Sequence, residues 1–228
     1  MKPLRDSFNM SDTANFSFAI HSIYRKYYFL KHRISDSYMV FEDRMHDIID
    51  VLEKDGVILF PTDTLWALGC SIQSRKACLK LKKIPSQAGY PREYSLLASG
   101  IPMIKQYIPR VHPRIETLLV YHHQPLTVVH PGKNSFPDYI QRYFPGLGFN
   151  LTNDQFCKTI IRLLGFPLII TPAQLTADNI PNAFGRIDPH LHLHGDYICK
   201  HKMNLMNDHL PPVTITYNEE GDLIFLRE

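Results

Sequence analysis

Hydrophobic positions along this chain switch repeatedly between helical and extended spacing, and that alternation predicts the architecture. Met45, Ile48, Ile49 and Leu52 recur at helical spacing, with Gly56 placed as a stop. Val57-Ile58-Leu59-Phe60 is an unbroken apolar run, the mark of a strand buried on both faces, and it leads straight into the polar loop Pro61-Thr62-Asp63-Thr64. Ser74 is placed to cap a helix carrying Ala77, Cys78 and Leu81 inward, and Ser95 to Ala98 predicts a short strand. Helical spacing returns at 101–108, 112–122 and 137–144, whereas Leu126 to Val129 and Gly148 to Leu151 are extended. Thr152 or Asn153 then opens a helix whose apolar side is Phe156, Cys157, Ile160, Ile161, Leu163 and Leu164, ended by Gly165. Pro167 to Thr171 reads as a second buried strand, and Val213–Tyr217 and Leu223–Leu226 flank a turn at 218–221 as a hairpin. Strands alternating with helices and closing in a hairpin predict one α/β domain with a sheet of mixed direction. Ligands of such sheets bind beyond the carboxyl ends of strands, which directs attention to the loop at 61–64.

Residues 1–38 break this pattern, so the domain is expected to occupy 39–228 and the first 38 residues to form an extension. Within the extension Ile23-Tyr24-Arg25-Lys26-Tyr27-Tyr28-Phe29-Leu30-Lys31-His32-Arg33 interleaves cations and rings. Such a run suits stacked bases and phosphates. It equally suits an amphipathic helix docking its rings on the domain, or a start codon set upstream of Met39. Charge discriminates little, because 25 Lys and Arg against 22 Asp and Glu leave only +3, which permits an acidic partner without requiring one. Cys70, Cys78, Cys157 and Cys199 are widely spaced and form no C-x-x-C pair, so reduced thiols are expected. No apolar run approaches the 18 or so residues of a membrane span, and the start lacks a signal peptide's organisation, so a soluble cytoplasmic protein is expected.

The most specific signal is an ordered series of motifs. Gly56-Val57-Ile58-Leu59-Phe60-Pro61-Thr62-Asp63-Thr64-Leu65-Trp66-Ala67-Leu68-Gly69-Cys70 comes first, followed by Leu81-Lys82-Lys83 and Gln124-Pro125-Leu126-Thr127-Val128-Val129. Leu151-Thr152-Asn153-Asp154-Gln155-Phe156-Cys157 and Pro167-Leu168-Ile169-Ile170-Thr171-Pro172-Ala173-Gln174 complete it. In this order, over residues 41–228, the series resembles the YrdC-like threonylcarbamoyl-AMP synthase family. The resemblance implies a YrdC-like twisted mixed sheet flanked by helices. It implies a nucleotidyltransferase that condenses L-threonine, bicarbonate and ATP, with Mg accompanying the ATP as substrate, into threonylcarbamoyl-AMP and pyrophosphate. That product serves the threonylcarbamoyladenosine modification of tRNA, and no tightly bound cofactor is implied. By resemblance Thr62 and Thr64 line the threonine pocket, Lys82 is the surviving phosphate cation, and Thr127, Thr171 and Gln174 stand at the remaining substrate and nucleotide positions. Reactions of this kind rely on cations and hydroxyl donors around phosphate more than on a covalent nucleophile.

Departures from the family pattern gather at these same motifs. Ile84 and Asn150 stand at arginine positions, Ile170 and Pro172 replace serines, Gln174 replaces asparagine, and Pro211-Pro212-Val213 replaces Pro-Ser-Ser/Thr. Neither Ile nor Asn reproduces a bidentate arginine clamp. Arg92 is a candidate to return one charge, and an exposed loop arginine is the plainer reading. The sequence therefore carries two functions side by side: a synthase of reduced activity, and a catalytically inactive relative that binds nucleotide or double-stranded RNA. His190-x-His192-x-His194 would offer three imidazoles on one face if extended, but no carboxylate or cysteine stands at a persuasive spacing and no metal site is expected. A chain beginning at Met39 is expected to stay soluble and to melt in one cooperative transition by circular dichroism. Aggregation of that truncation, or loss of most of the transition, would make residues 1–38 part of the core.

Overall fold

The apolar run after Gly56 forms β1 (Ile58–Pro61), with all four residues buried. A computed structural model describes residues 41–87, 91–122, 125–207 and 211–227; the aromatic run at 23–33, the boundary at Met39 and Gln124 lie outside them. The further strands are β2 (Trp66–Ser71), β3 (Ser95–Ala98), β4 (Leu126–Val128), β5 (Gly148–Leu151), β6 (Leu168–Pro172), β7 (Tyr197–Ile198), β8 (Val213–Tyr217) and β9 (Leu223–Arg227). They form one sheet in the order β7-β1-β2-β6-β3-β5-β4-β8-β9. Its direction is mixed, since β3 pairs β5 in parallel and β6 antiparallel.

Helices α1 (Met45–Glu53), α2 (Arg75–Lys82), α3 (Ile101–Lys105), α4 (Pro113–Tyr121), α5 (Asp138–Tyr143), α6 (Gln155–Leu164) and α7 (Pro189–His192) flank the sheet. Side chains alternate across a strand, so the two faces bury separate clusters. On one face Leu68, Leu96, Val128, Phe149 and Ile169 pack with Ala77 and Leu81 of α2, Ile104, Ile115 and Ile140. On the other, Phe60, Ala67, Leu97, Leu168 and Ile170 pack with Ile48, Ile49 and Leu52 of α1 and Phe156, Ile160 and Ile161 of α6. Helices α1 and α6 thus serve the β1, β2 and β6 side of their face, and the β5, β4 and β8 side of that face carries the cavity described below.

The structure refines several local expectations. β2 is a strand the sequence reading did not identify: it follows the 61–65 loop directly and pairs Ile58 with Gly69 and Pro61 with Trp66. Its unalternated small and apolar residues carry little period, and its place comes from the turn before it. The stop after α1 falls on Asp55, which takes the left-handed conformation at φ 62. Gly56 is instead packed so closely that an added Cβ would lie 2.4 Å from the Val51 side chain. Asp154, not Thr152 or Asn153, caps α6 by accepting from Cys157 N at 3.0 Å. Ser74 caps α2 as expected, accepting from Ala77 N at 2.9 Å. Residues 189–192 are helical, so His190 and His192 do not alternate on a strand. His190 Nδ1 lies 2.9 Å from Asp188, while His192 stacks on Phe184 at 4.9 Å between ring centroids. The four cysteines are free and buried.

Gly69 is required for space. A Cβ there would meet the Phe60 ring at 2.8 Å and Ile170 Cγ2 at 3.0 Å, between β1 and β6. Gly69→Ala is expected to cost about 1–3 kcal/mol by overpacking, measured by denaturant unfolding. An unchanged midpoint would mean the two strands separate freely around an added methyl.

Candidate active site

The site begins with the turn that leaves β1. Thr62 Oγ1 donates to Leu65 O at 2.7 Å and accepts from Thr64 N and Leu65 N, so its hydroxyl is occupied in closing the loop. Asp63 then reaches across to the start of α6. Its carboxylate accepts from Thr152 Oγ1, from Asn153 N at 2.6 Å and from Asp154 N at 3.1 Å, while its carbonyl accepts from Asn207 Nδ2 at 2.7 Å. The loop is fixed from both sides and becomes a wall.

Against that wall lies a cavity of about 780 Å³. Sheet register builds its floor in two rows. Val128 pairs Phe149, which sets Thr127 opposite Asn150 and Val129 opposite Gly148. Thr127 also pairs Thr214, and Asn150 pairs Leu97, giving the row Thr214, Thr127, Asn150, Leu97 across β8, β4, β5 and β3. The second row is Val129, Gly148, Ser95 and Ile170. All eight residues line the cavity. A Cβ on Gly148 would lie 2.7 Å from Thr127 Cγ2, so the absent side chain makes room for the Thr127 methyl.

Positive charge enters from the end of α2 and from the loop that leads into β3. Lys82, at the end of α2, lines the cavity with its Nζ 5.0 Å from the centroid of the Tyr94 ring and 6.0 Å from that of Phe144. Arg92 also lines it, but as a half-buried clamp: Nε donates to Ile84 O, Nη2 to Pro85 O at 2.7 Å and Nη1 to Pro172 O at 3.2 Å. Neither an idle loop arginine nor a bare substitute for a missing clamp describes it, because it ties the segment after α2 to the end of β6. Glu93 stands in the same wall.

Five of the six residues singled out from the sequence, Thr62, Thr64, Lys82, Thr127 and Gln174, meet around this cavity. Thr171 does not line it. β6 and its continuation alternate, with Ile170, Pro172 and Gln174 on the cavity side and Thr171 fully buried on the other, its Oγ1 without a partner among the described residues. Of the departing positions, Asn150, Ile170, Pro172, Gln174, Pro211 and Pro212 all line the cavity. Ile84 is 5% exposed and belongs to the core, so an arginine simply placed there would be carried into apolar surroundings. The sequence reading passed over Glu93, Ser95 and Thr214, which only strand pairing and loop path bring into the site. Asp63 was visible in its motif, but its role as an anchor depends on residues about ninety positions away.

A second cavity of about 540 Å³ lies against the same loop, lined by Asp63, Asn153, Asp154, Asn182, Lys202 and Asn207 among others. No group of three or more His, Cys, Asp and Glu side chains able to hold a metal occurs among the described residues. Cys157 donates its thiol to Pro61 O at 3.3 Å, and burial, reinforced by the charges of Asp154 and Asp63, pushes that thiol well above its ordinary range. It remains protonated. At Asp154 burial acts to raise the carboxyl, but the Lys202 ammonium at 2.6 Å and the Cys157 N–H outweigh it and hold the group below its ordinary value. No described helix is long and apolar enough to cross a membrane.

Comparison with known proteins agrees with this fold. The profile of the Sua5/YciO/YrdC family, described as a telomere recombination domain, matches residues 50–227. A threonylcarbamoyl-AMP synthase of Escherichia coli is 26% identical over 157 residues, 64% of this chain and 82% of the relative. Among solved structures, YciO of E. coli superposes with a TM-score of 0.63 at 19% identity, covering 81% of this chain and 88% of that one. P. abyssi Sua5 complexed with L-threonine gives 0.63 at 16% identity, covering 80% of this chain and 53% of the longer Sua5 chain.

A depressed carboxyl stabilises the fold above the unfolded-state pKa of about 3.9 and loses that contribution as pH falls through the folded value. Asp154→Ala is therefore expected to cost about 1–2 kcal/mol at neutral pH, by loss of the cap and the Lys202 pair. Unfolding curves of the two proteins should converge as pH drops below about 4. A gap that stays constant down to pH 2 would assign the whole effect to packing.

Proposed function

The chain belongs to the Sua5/YciO/YrdC family, and on that premise we propose that its cavity takes MgATP and L-threonine and makes threonylcarbamoyl-AMP slowly. The observation that carries this reading is the convergence of Thr64, Lys82, Thr127 and Gln174 with Arg92 on one cavity, at the end of the loop held by Asp63. The threonine amine and bicarbonate condense to a carbamate with loss of water, and a carbamate oxygen then attacks the α-phosphorus of ATP as the bond to pyrophosphate breaks. Negative charge is present on both reactants and grows on the leaving group, so the protein's task is to hold and neutralise it. Lys82 is the mobile cation for that task, and Arg92 adds a fixed positive charge in the wall. Thr64, whose hydroxyl has no hydrogen-bond partner among the described residues, is free to bond the amino acid. Thr62 contributes by shaping the turn.

Slow turnover follows from what faces the ligand. Asn150, Ile170 and Pro172 bring no charge, and Pro172 brings no N–H either. Electrostatic partners in such sites are worth about 2–4 kcal/mol each, so the loss of several corresponds to at least about a hundredfold in rate. Calorimetry with ATP tests the binding reading. Lys82→Ala is expected to weaken ATP by about 1.5–3 kcal/mol, the size of a charge-assisted hydrogen bond. Pyrophosphate release from ATP, bicarbonate and L-threonine should fall at least about a hundredfold below that of the E. coli synthase under the same conditions. Absence of ATP binding overturns the proposal, and turnover equal to the synthase overturns its claim of slowness.

A further inference from the structure

The two edges of the sheet are protected unequally. At one, β7 is only Tyr197–Ile198, and the Tyr197 hydroxyl donates to Asp43 at 2.9 Å. At the other, β9 runs from Leu223 to Arg227 with no strand beyond it among the described residues. An edge strand presents unpaired peptide groups, and proteins commonly blunt it with charge, proline or brevity. β9 instead carries four successive apolar residues, for Leu223, Ile224, Phe225 and Leu226 are 40%, 49%, 58% and 54% exposed.

Strand pairing shows which way each group faces. Leu223 and Phe225 stand opposite Tyr217 and Ile215, which are buried on the helix side, and Ile224 opposite Thr216 lies on the other face. Ile215 pairs Phe225 while Thr214 pairs Arg227, so Leu226 is an extra residue and forms a bulge. The regular stretch therefore ends at Phe225. Asn218 N donates to Asp222 O at 3.2 Å, which turns the peptide groups of Asp222 and, two residues on, Ile224 towards β8. Those of Leu223 and Phe225 face outward.

Both faces of this edge are apolar, so a strand that suits it brings apolar side chains to both faces as well. A second copy of β9 does so. In antiparallel pairing about a two-fold axis a residue stands opposite itself or a residue an even number of positions away, because opposed side chains share a face. The regular stretch is used in full when Ile224 faces its own copy. Leu223 then exchanges both peptide hydrogen bonds with Phe225 of the second copy. Antiparallel pairing also keeps the acidic turns Glu219-Glu220-Gly221-Asp222 of the two copies apart, whereas parallel pairing would bring them together. The four side chains leave roughly 400 Å² exposed per copy, so a pair covers about 800 Å² before the peptide edges are added, close to the ~1,000 Å² of the smallest specific interfaces.

We propose that two copies of this chain join β9 to β9 in an antiparallel register centred on Ile224, making one continuous sheet. β7 is too short to pair in the same way, so association stops at a closed dimer. Leu226 also lines the large cavity, and the second copy's strand therefore runs beside its rim. An interface of this size is reversible, with a dissociation constant on the order of micromolar. The inference is independent of what the cavity binds.

Sedimentation of the full chain over a range of concentrations tests it, and a reversible monomer–dimer equilibrium is expected. Ile224→Lys, which places a charge on the edge, should raise the dissociation constant at least about tenfold while leaving the unfolding midpoint of the dilute protein unchanged. Ile224→Cys serves if that variant does not fold. Opposed residues at this position lie about 4.5 Å apart between Cα atoms, within reach of a disulfide, and the four native cysteines are buried. Mild oxidation should therefore link two copies of Ile224→Cys and not two copies of Phe225→Cys. A full chain that stays monomeric, its edge taken by another occupant or by none, overturns the inference. So does a dimer as tight in Ile224→Lys as in the wild type, or a cross-link that forms at position 225 and not at 224.

Discussion

The carboxylate of Asp63 is the interaction on which the rest of the site depends. It sits at the end of a buried strand and collects the N–H groups of Asn153 and Asp154 and the hydroxyl of Thr152, joining the β1–β2 turn to the entry of α6. Helix N-termini present unsatisfied donors, so an acid from elsewhere in the chain is well placed there. The consequence is geometric. Once the turn is fixed, β2 must run back antiparallel beside β1, β6 must pair on its other side, and Ile170, Pro172 and Gln174 are delivered to one cavity.

Much of this was legible in the chain because it is local. Unbroken apolar runs gave β1 and β6, a period near 3.6 gave α1 and α6, and Ser74 and Gly165 marked helix ends where the backbone places them. What remained hidden depended on partners distant in sequence. β2 has no period of its own, and its six buried residues are contacted on both sides by strands that the pattern treats separately. Asp154 and Asn153 are equally good caps by residue type, and only the lysine at 202 and the N–H of Cys157 distinguish them. Thr171 looked like its neighbours in a motif, but a strand's two-residue period sends it to the opposite face.

The same period explains the distribution of the chain's departures from its family. Residues 170, 172 and 174 share the cavity side, with Ile170 also packed in the cluster under α1 and α6, whereas 169, 171 and 173 are buried on the opposite face. Ile84 is the exception that clarifies the rule. Its side chain has joined the core while its carbonyl accepts from Arg92, so the position has become part of the scaffold and the positive charge in that wall comes from eight residues further on.

Lys82 has no carboxylate partner among the described residues; its ammonium faces the rings of Tyr94 and Phe144 instead. A ring offers a quadrupole, whose field dies away quickly with distance, and so restrains the side chain without cancelling its monopole. A counter-ion would have done both. The cavity lining as a whole carries Lys82 and Arg92 against Asp63 and Glu93, two charges of each sign, so the positive field of Lys82 is local to its own stretch of wall. Added salt shortens the reach of that field, to about 8 Å at physiological ionic strength.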